Sequence, residues 1–419
     1  MKARTRTWIA AAALVLGVVT GPVAVAAAAP SPAPVSIGVA PPVFSSPPDA
    51  RALRDAIAGV GAHDERATAA LVRVGGTSGG WHGHAGVTDI RKGREAIEDG
   101  RFRAGSVTKT FTAAVVLQLA DEGRLDLDRP VQEYLPGLLP GGEGGFLPIK
   151  VKELLNYTSG LRSPDGPGDA ASGDASGDAF SDAYAHRFDV VDPHALIADA
   201  AAQGPAFDPG TMQDYGNIHY TVLGLLIEKV TGTTYEKAVA ARILKPLGLR
   251  HTSFPARTQT WIAGPHNRGY QAVRQADGSS SPVDVTEWNS TPNWASGDLI
   301  STTADLERFT VALFGGEVVP KPLLEEMFTV PEVSIYQPNV PLDQQDGPPA
   351  DQTAGLKRFV LPGGKVAWGK TGGRYGYNTV IGATRDLSRT LVYSVNSTDA
   401  KGREMNEVAQ AIVLAAFAE

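Results

Sequence analysis

Ser106-Val107-Thr108-Lys109, followed by Thr110-Phe111-Thr112-Ala113-Ala114-Val115-Val116-Leu117-Gln118-Leu119-Ala120, places a hydroxyl and an amine three residues apart at the head of an apolar run. The run predicts a helix ending at Gly123, on which Ser106 and Lys109 share one face about one turn apart. An amine in that place can take the serine proton, provided burial keeps it neutral. Alone the pattern carries little, because a Ser-x-x-Lys arises about once by chance in a chain of this length.

With 419 residues, 42% hydrophobic and 20% charged, the chain has the composition of a folded globular protein with a sizeable core. Met1-Lys2-Ala3-Arg4-Thr5-Arg6 is basic, Trp8 to Val19 is apolar, and small residues follow to Ala29. That is the pattern of a signal peptide, assigned to residues 1–28, with cleavage expected after Ala26 or Ala28. The apolar stretch is short for a spanning helix, so an integral membrane protein is not expected. Export is expected instead, with release or loose cell-wall association, as a monomer. The formal charge of −7 becomes more negative once Lys2, Arg4 and Arg6 are lost, which disfavours nucleic acid as a partner. The absence of cysteine excludes disulfides, thiol catalysis and cysteine-bound zinc, leaving an oxygen or an amine as nucleophile.

Outward from Ser106, residues 29–48 are rich in proline and read as a linker. Asp49 then opens a helix over Ala50 to Val60. Ala69 to Val74 and Trp81 to Val87 read as an antiparallel hairpin across Gly75 to Gly80. That join contains Gly-x-Ser-x-Gly at Ser78, but a strand rather than a helix follows, so it is a decoy for a nucleophile elbow. Further helices fit Val151 to Leu155, Pro193 to Ala202, His219 to Val230, Tyr235 to Leu244 and Ser301 to Phe314. Tyr215 and Asn217 fall on a loop before one of them. Ser163 to Asp182 and Asp343 to Asp351 read as surface insertions, the first as a mobile loop. Strands at Phe359 to Leu361, Lys365 to Trp368, Asn378 to Thr384 and Arg389 to Asn396 precede a closing helix, Glu404 to Phe417. The fold class is therefore α/β: an antiparallel sheet flanked by helices, built from about 49–104 and 298–419, with a mostly helical part inserted over about 105–297.

Two further motifs give Ser106 partners. Tyr215-Gly216-Asn217 is the sole Tyr-x-Asn and Lys370-Thr371-Gly372 the sole Lys-Thr-Gly of the chain, and Ser106 heads the sole Ser-x-x-Lys. Together they resemble the serine β-lactamase and penicillin-binding-protein superfamily, where such motifs surround one cleft. Tyrosine in the second motif is similar to class C β-lactamases, D-alanyl-D-alanine carboxypeptidases and related esterases. Leu154 to Leu161, Phe207 to Gly210 and Leu299 to Leu306 are also similar to family segments, so the likeness runs from about Ala69 to the C-terminus.

The resemblance implies an acyl-enzyme at Ser106 without metal or cofactor. Lys109, at its ordinary pKa of about 10.4, would be protonated and useless as a base, so burial, the helix N-terminus and Lys370 are expected to depress it. Tyr215 would carry a proton to the leaving amine, and Asn217 would bind Lys109 and a substrate amide. Lys370 and Thr371 would hold a substrate carboxylate, and Gly372 would let an acyl chain approach the backbone. The amides of Ser106 and Gly373 would form the oxyanion hole. Arg374 reads equally as a carboxylate ligand or a solvated surface residue, and Trp294 as cleft wall or packing. His82 and His84 alternate on a strand with no third ligand in view.

The expected function is an exported D-alanyl-D-alanine carboxypeptidase acting on peptidoglycan-type peptides. A class C-like β-lactamase or an esterase shares the same acylation chemistry, so D-Ala-D-Ala peptides, β-lactams and esters are all candidate substrates. A homologue that binds penicillin or wall peptides without turnover is the alternative outside enzymes, opposed by the intact Ser106, Lys109, Tyr215 and Lys370.

Overall fold

The computed structural model describes residues 43–142, 145–163, 177–275, 277–402 and 404–418. The leader, residues 29–42 of the proline-rich stretch and residues 164–176 of the Gly/Asp-rich tract lie outside the described residues. Residues 43–48 pack onto the fold: Phe44 is buried against Leu361 and Ala367, and its amide donates to Ser388 Oγ.

Asp49 accepts from the amides of Arg51 and Ala52 and so starts helix α1, Ala50–Ile57. Strands β1 (Ala67–Gly75) and β2 (Trp81–Gly86) form the expected hairpin. Helix α2 (Thr108–Asp121) and helix α3 (Asn217–Thr231) form the centre of the helical part. Helix α4 (Thr303–Phe314) is capped by the Thr302 hydroxyl. Four strands close the sheet, β3 (Lys357–Val360), β4 (Val366–Arg374), β5 (Tyr377–Ala383) and β6 (Thr390–Ser397), before helix α5 (Glu407–Ala416).

The six strands run antiparallel in the order β2-β1-β6-β5-β4-β3. Alternation along each strand divides the side chains between two cores. Val72, Val74, Val380, Leu391, Tyr393 and Val395 pack with Leu53 and Ile57 of α1 and Ile412 of α5. Leu71, Ile381 and Val392 face the other way, into the core that holds Phe111 of α2, Leu223 of α3 and Phe309 of α4. Helix α2 is buried along almost its whole length, which is why its sequence is apolar all round rather than on one stripe.

Three differences from the sequence reading bear on the site. Strand β4 runs on to Arg374, so all of Lys370-Thr371-Gly372-Gly373 is strand. Helix α3 starts at Asn217, which therefore lies in the first helical turn and not on the loop before it. The end of the Gly/Asp-rich tract is helical, Gly177–Ala185, because Phe180 and Ala183 find buried contacts with Trp288 and Tyr375. Among the described residues no helix is long and apolar enough to cross a membrane.

Candidate active site

Ser106 occupies a tight 3-10 turn, Gly105–Val107, that feeds directly into α2. The turn is pinned from both sides. Phe102 and Arg103 pair with Ser301 and Ile300, and the Thr108 hydroxyl donates to Gly105 O at 2.7 Å while accepting from Leu299 N at 3.0 Å. Gly105 has a φ of +52°, a conformation in which a side chain would be strained. It also leaves no room: a Cβ there would lie 2.8 Å from the Gly373 amide nitrogen.

Lys109 is fully buried. Its Nζ lies 3.1 Å from Ser106 Oγ, 2.6 Å from Asn217 Oδ1 and 2.9 Å from the Ser296 carbonyl. Two of these oxygens belong to carbonyl groups and can only accept, whereas the serine hydroxyl can also donate. Nζ donates to both carbonyl oxygens, which leaves the nitrogen held at the serine hydroxyl. Tyr215 Oη donates to the same Ser106 Oγ at 2.9 Å. The serine oxygen is thus bracketed by an amine and a phenol.

Strand β4 supplies the facing wall. Neighbouring β3 pairs with it only as far as Gly369, so from Lys370 onward that edge carries no sheet partner and lies against the Ser106 turn. A Cβ on Gly372 would sit 2.0 Å from Ala104 O and 3.2 Å from Ser106 N, so contact with the turn requires glycine here. Gly373 is different, since a Cβ there would meet nothing nearer than 3.4 Å. Lys370 is buried, donates to Gln352 Oε1 at 2.9 Å, and lies 4.3 Å from the Tyr215 ring centroid and 5.4 Å from that of Tyr157. Burial first, and the nearby Lys109 second, hold its pKa well below the usual lysine value. Thr371 is exposed on the opposite face.

A model of the family described as Beta-lactamase matches residues 53–415. The chain belongs to that family. A D-stereospecific amidohydrolase from Streptomyces sp. is 33% identical with a TM-score of 0.71, and the match covers 88% of this chain and 99% of that one. The octameric penicillin-binding protein homologue from Pyrococcus abyssi shares the fold at 24% identity and a TM-score of 0.63, over 83% of this chain and 74% of that one. Protein flp from Staphylococcus aureus (strain NCTC 8325 / PS 47) is 33% identical over 227 residues, 54% of this chain. The match spans only 41% of that relative's own length.

Within this family's fold the chain brings Ser106, Lys109, Tyr215, Asn217, Lys370, Gly372 and Gly373 together around one point. Several site residues were not evident from the motifs. Ser296 contributes only a backbone carbonyl, which has no sequence signal. Gln352, which fixes Lys370, lies just past a proline-rich insertion. The Tyr157 ring packs at a tilt on Tyr215, centroids 4.8 Å apart, and the residue is fully buried with a φ of +65°; its family-like segment was the available clue. Trp294 proves to be packing, not cleft wall: it is buried against Tyr235 and its indole N–H donates to Glu236. Arg374 is not solvated, being only 7% exposed.

The competing patterns find structural roles. Ser78 lies in the β1–β2 turn and its hydroxyl donates to the Ser388 carbonyl. Ser394-Val395-Asn396 matches a Ser-x-Asn form of the second motif, but it lies inside β6 with Asn396 donating to the carbonyls of Asn267 and Arg268. His82 and His84 each lie 3.3 Å from a glutamate, Glu98 and Glu95 respectively.

Proposed function

We propose that this chain hydrolyses amides and peptides whose acyl group ends in a D-configured residue, through an ester formed on Ser106. D-alanyl-D-alanine peptides belong to that substrate class. The observation that carries the chemistry is the placement of Ser106 Oγ within hydrogen-bond reach of both Lys109 Nζ and Tyr215 Oη. Lys109 takes the serine proton, and Oγ attacks the scissile carbonyl. The developing oxyanion is received by the amides of Ser106 and Gly373, each such donor being worth about 3 kcal/mol. Tyr215 gives its proton to the leaving nitrogen and is reprotonated from Lys109 across the short polar network. Water then attacks the ester by the reverse route. Asn217 holds Lys109 in place, while Lys370 sets the Tyr215 phenol from the β4 side. The D-configuration is supported by the 33% identity across nearly the whole of the Streptomyces amidohydrolase. The carboxypeptidase reading is supported by Lys370 on the unpaired edge of β4, beside the Tyr215 phenol.

The test is to incubate the protein with D- and L-alanine p-nitroanilide, an acyl-D-Ala-D-Ala peptide, a labelled penicillin and a short-chain ester, following turnover and protein mass. D-selective amide or peptide hydrolysis with an adduct on Ser106 is expected. Turnover confined to penicillin or the ester would replace the amidase reading by a lactamase or esterase. Equal activity in Ser106→Ala, or no adduct and no turnover on any substrate, would defeat the mechanism. We propose also that residues 1–28 are removed on export, which the mass of the secreted protein checks directly.

A further inference from the structure

Two arginines are buried near the start and the end of the cleft-forming backbone, and they are used differently. Arg103 is well supplied with acceptors: its guanidinium donates to the carbonyls of Thr260 and Thr286 and to Ser290 Oγ. Arg374 is 7% exposed, yet among the described residues its guanidinium makes no hydrogen bond or ion pair. Leaving a buried cation without acceptors is costly unless something else supplies them.

What Arg374 lines is a cavity of about 40 Å³, together with Ala183, His186, Trp288, Asn293, Tyr375 and Lys401, with Pro292 at its wall. Such a volume holds a few water-sized groups, the bulk of one carboxylate. Among the described residues none that lines it is acidic, and Lys401 adds a second cation. Asp298 is the carboxyl whose charge is felt at Arg374, but burial pushes its own pKa well up, toward the neutral form. Burial and Arg103 lower the Arg374 pKa only to about 10, so the guanidinium is charged at neutral pH.

Two chain segments link the cavity to the reaction centre. Side chains alternate along a strand, so Lys370, Gly372 and Arg374 share one face of β4, with Arg374 about 7 Å along the strand from Gly372. Asn293 stands just before the short helix Trp294–Gly297, whose Ser296 carbonyl holds Lys109. Direction follows from proton transfer. Tyr215, which protonates the leaving nitrogen, lies at the Lys370 end of this face. The leaving group therefore occupies that end, and the acyl chain runs the other way, toward Arg374.

Resting on the acyl-enzyme reading above, we infer that Arg374 and its cavity form an anion subsite for the acyl half of the substrate, selecting acyl groups with a carboxylate upstream of the scissile bond. The carboxylate supplies the acceptors that the buried fork lacks, and its cation partner lies on the opposite side of Ser106 from Lys370. The preferred substrate is thus an acidic acyl-D-amino-acid amide or peptide.

The test compares N-succinyl-D-alanine p-nitroanilide with its neutral N-acetyl counterpart on the whole protein and on Arg374→Gln and Arg374→Lys. The wild-type protein should favour the succinyl substrate about 10- to 100-fold in kcat/KM, the worth of one buried charge-assisted contact. Arg374→Gln should collapse that ratio toward one, and Arg374→Lys should restore part of it, readouts that a purely structural arginine would not move. Acetyl-D-Ala-D-Ala, whose only carboxylate is on the leaving side, should show no such ratio change. Turnover of the acetyl substrate without a succinyl preference in the wild-type protein overturns the subsite while leaving the proposed function intact. An equal loss on both substrates in Arg374→Gln overturns it too. No turnover of either anilide, with no adduct on Ser106, removes the proposed function and the subsite together.

Discussion

Lys109 on α2 and Lys370 on β4 both bring an amine to Tyr215, 5.1 Å and 4.3 Å from its ring centroid, but their surroundings differ. Lys109 meets three oxygens: a serine hydroxyl, an asparagine amide and a backbone carbonyl. Lys370 has one hydrogen-bond acceptor among the described residues, Gln352, and otherwise faces the rings of Tyr215 and Tyr157. The first environment fixes a nitrogen at the serine. The second places a group beside the phenol at an energetic cost, since burial and a like charge both press Lys370 toward the neutral amine. In the proposed mechanism base and electrostatic partner are thus separated by the donors and acceptors around them, not by residue type.

The sharpest way to break this distinction is Lys109→Met. Acylation of Ser106 should slow by about 10³- to 10⁴-fold, measured as the rate of mass increase with a labelled penicillin or an activated ester. If Lys370 could serve as the base, the loss would be small. Tyr215→Phe comes next, with an expected loss of about 10² to 10³ on anilides and peptides, where the leaving nitrogen needs a proton. A p-nitrophenyl ester, whose leaving group needs none, should suffer far less in the same variant. Similar losses on both substrates would assign Tyr215 to the serine and not to the leaving group.

Lys370→Met sets stability against function. The fold holds Lys370 below its ordinary value of 10.5, so the unfolded chain binds the extra proton and folding is opposed at pH values below 10.5. The variant should therefore melt a few degrees higher than the wild-type protein at pH 7, with the gain shrinking as pH rises toward 10.5, while kcat/KM falls about tenfold. A lower melting temperature at pH 7 would show that the bond to Gln352 outweighs the burial cost. The smallest effect is expected at Asp214, next to Tyr215. Burial pushes its pKa up to about 6 against the lowering influence of Arg162. Because the folded state binds this proton more tightly, stability falls as pH rises from about 4 through about 6. Asp214→Asn should raise the melting temperature above pH 6 and lose that advantage below pH 4.

Much of the site was legible because its residues come in short, fixed spacings. Ser106 and Lys109 are one turn apart on a strongly apolar helix, Tyr215-Gly216-Asn217 straddles a helix start, and Lys370-Thr371-Gly372 falls among β-forming residues. The sheet was legible for a similar reason, since Val, Ile, Leu and Tyr alternate between two buried faces. Boundaries were less so. Strand β4 continues through glycines that lower local strand propensity, and only the pairing of Gly372 with Thr379 and Gly373 with Asn378 extends it.

The sequence by itself determined the hydroxyl, the amine, the phenol and the second amine, because each sits in a motif whose geometry is set by a helical turn or a strand repeat. Only the tertiary structure decided which oxygens hold Lys109, that Trp294 is packing, and that Arg374 is buried with no hydrogen bond or ion pair among the described residues. These depend on backbone carbonyls and on segments far apart in the chain, such as Ser296 against Lys109 and Gln352 against Lys370. A local pattern can fix what a residue offers; burial and long-range contact fix whether that offer is already taken.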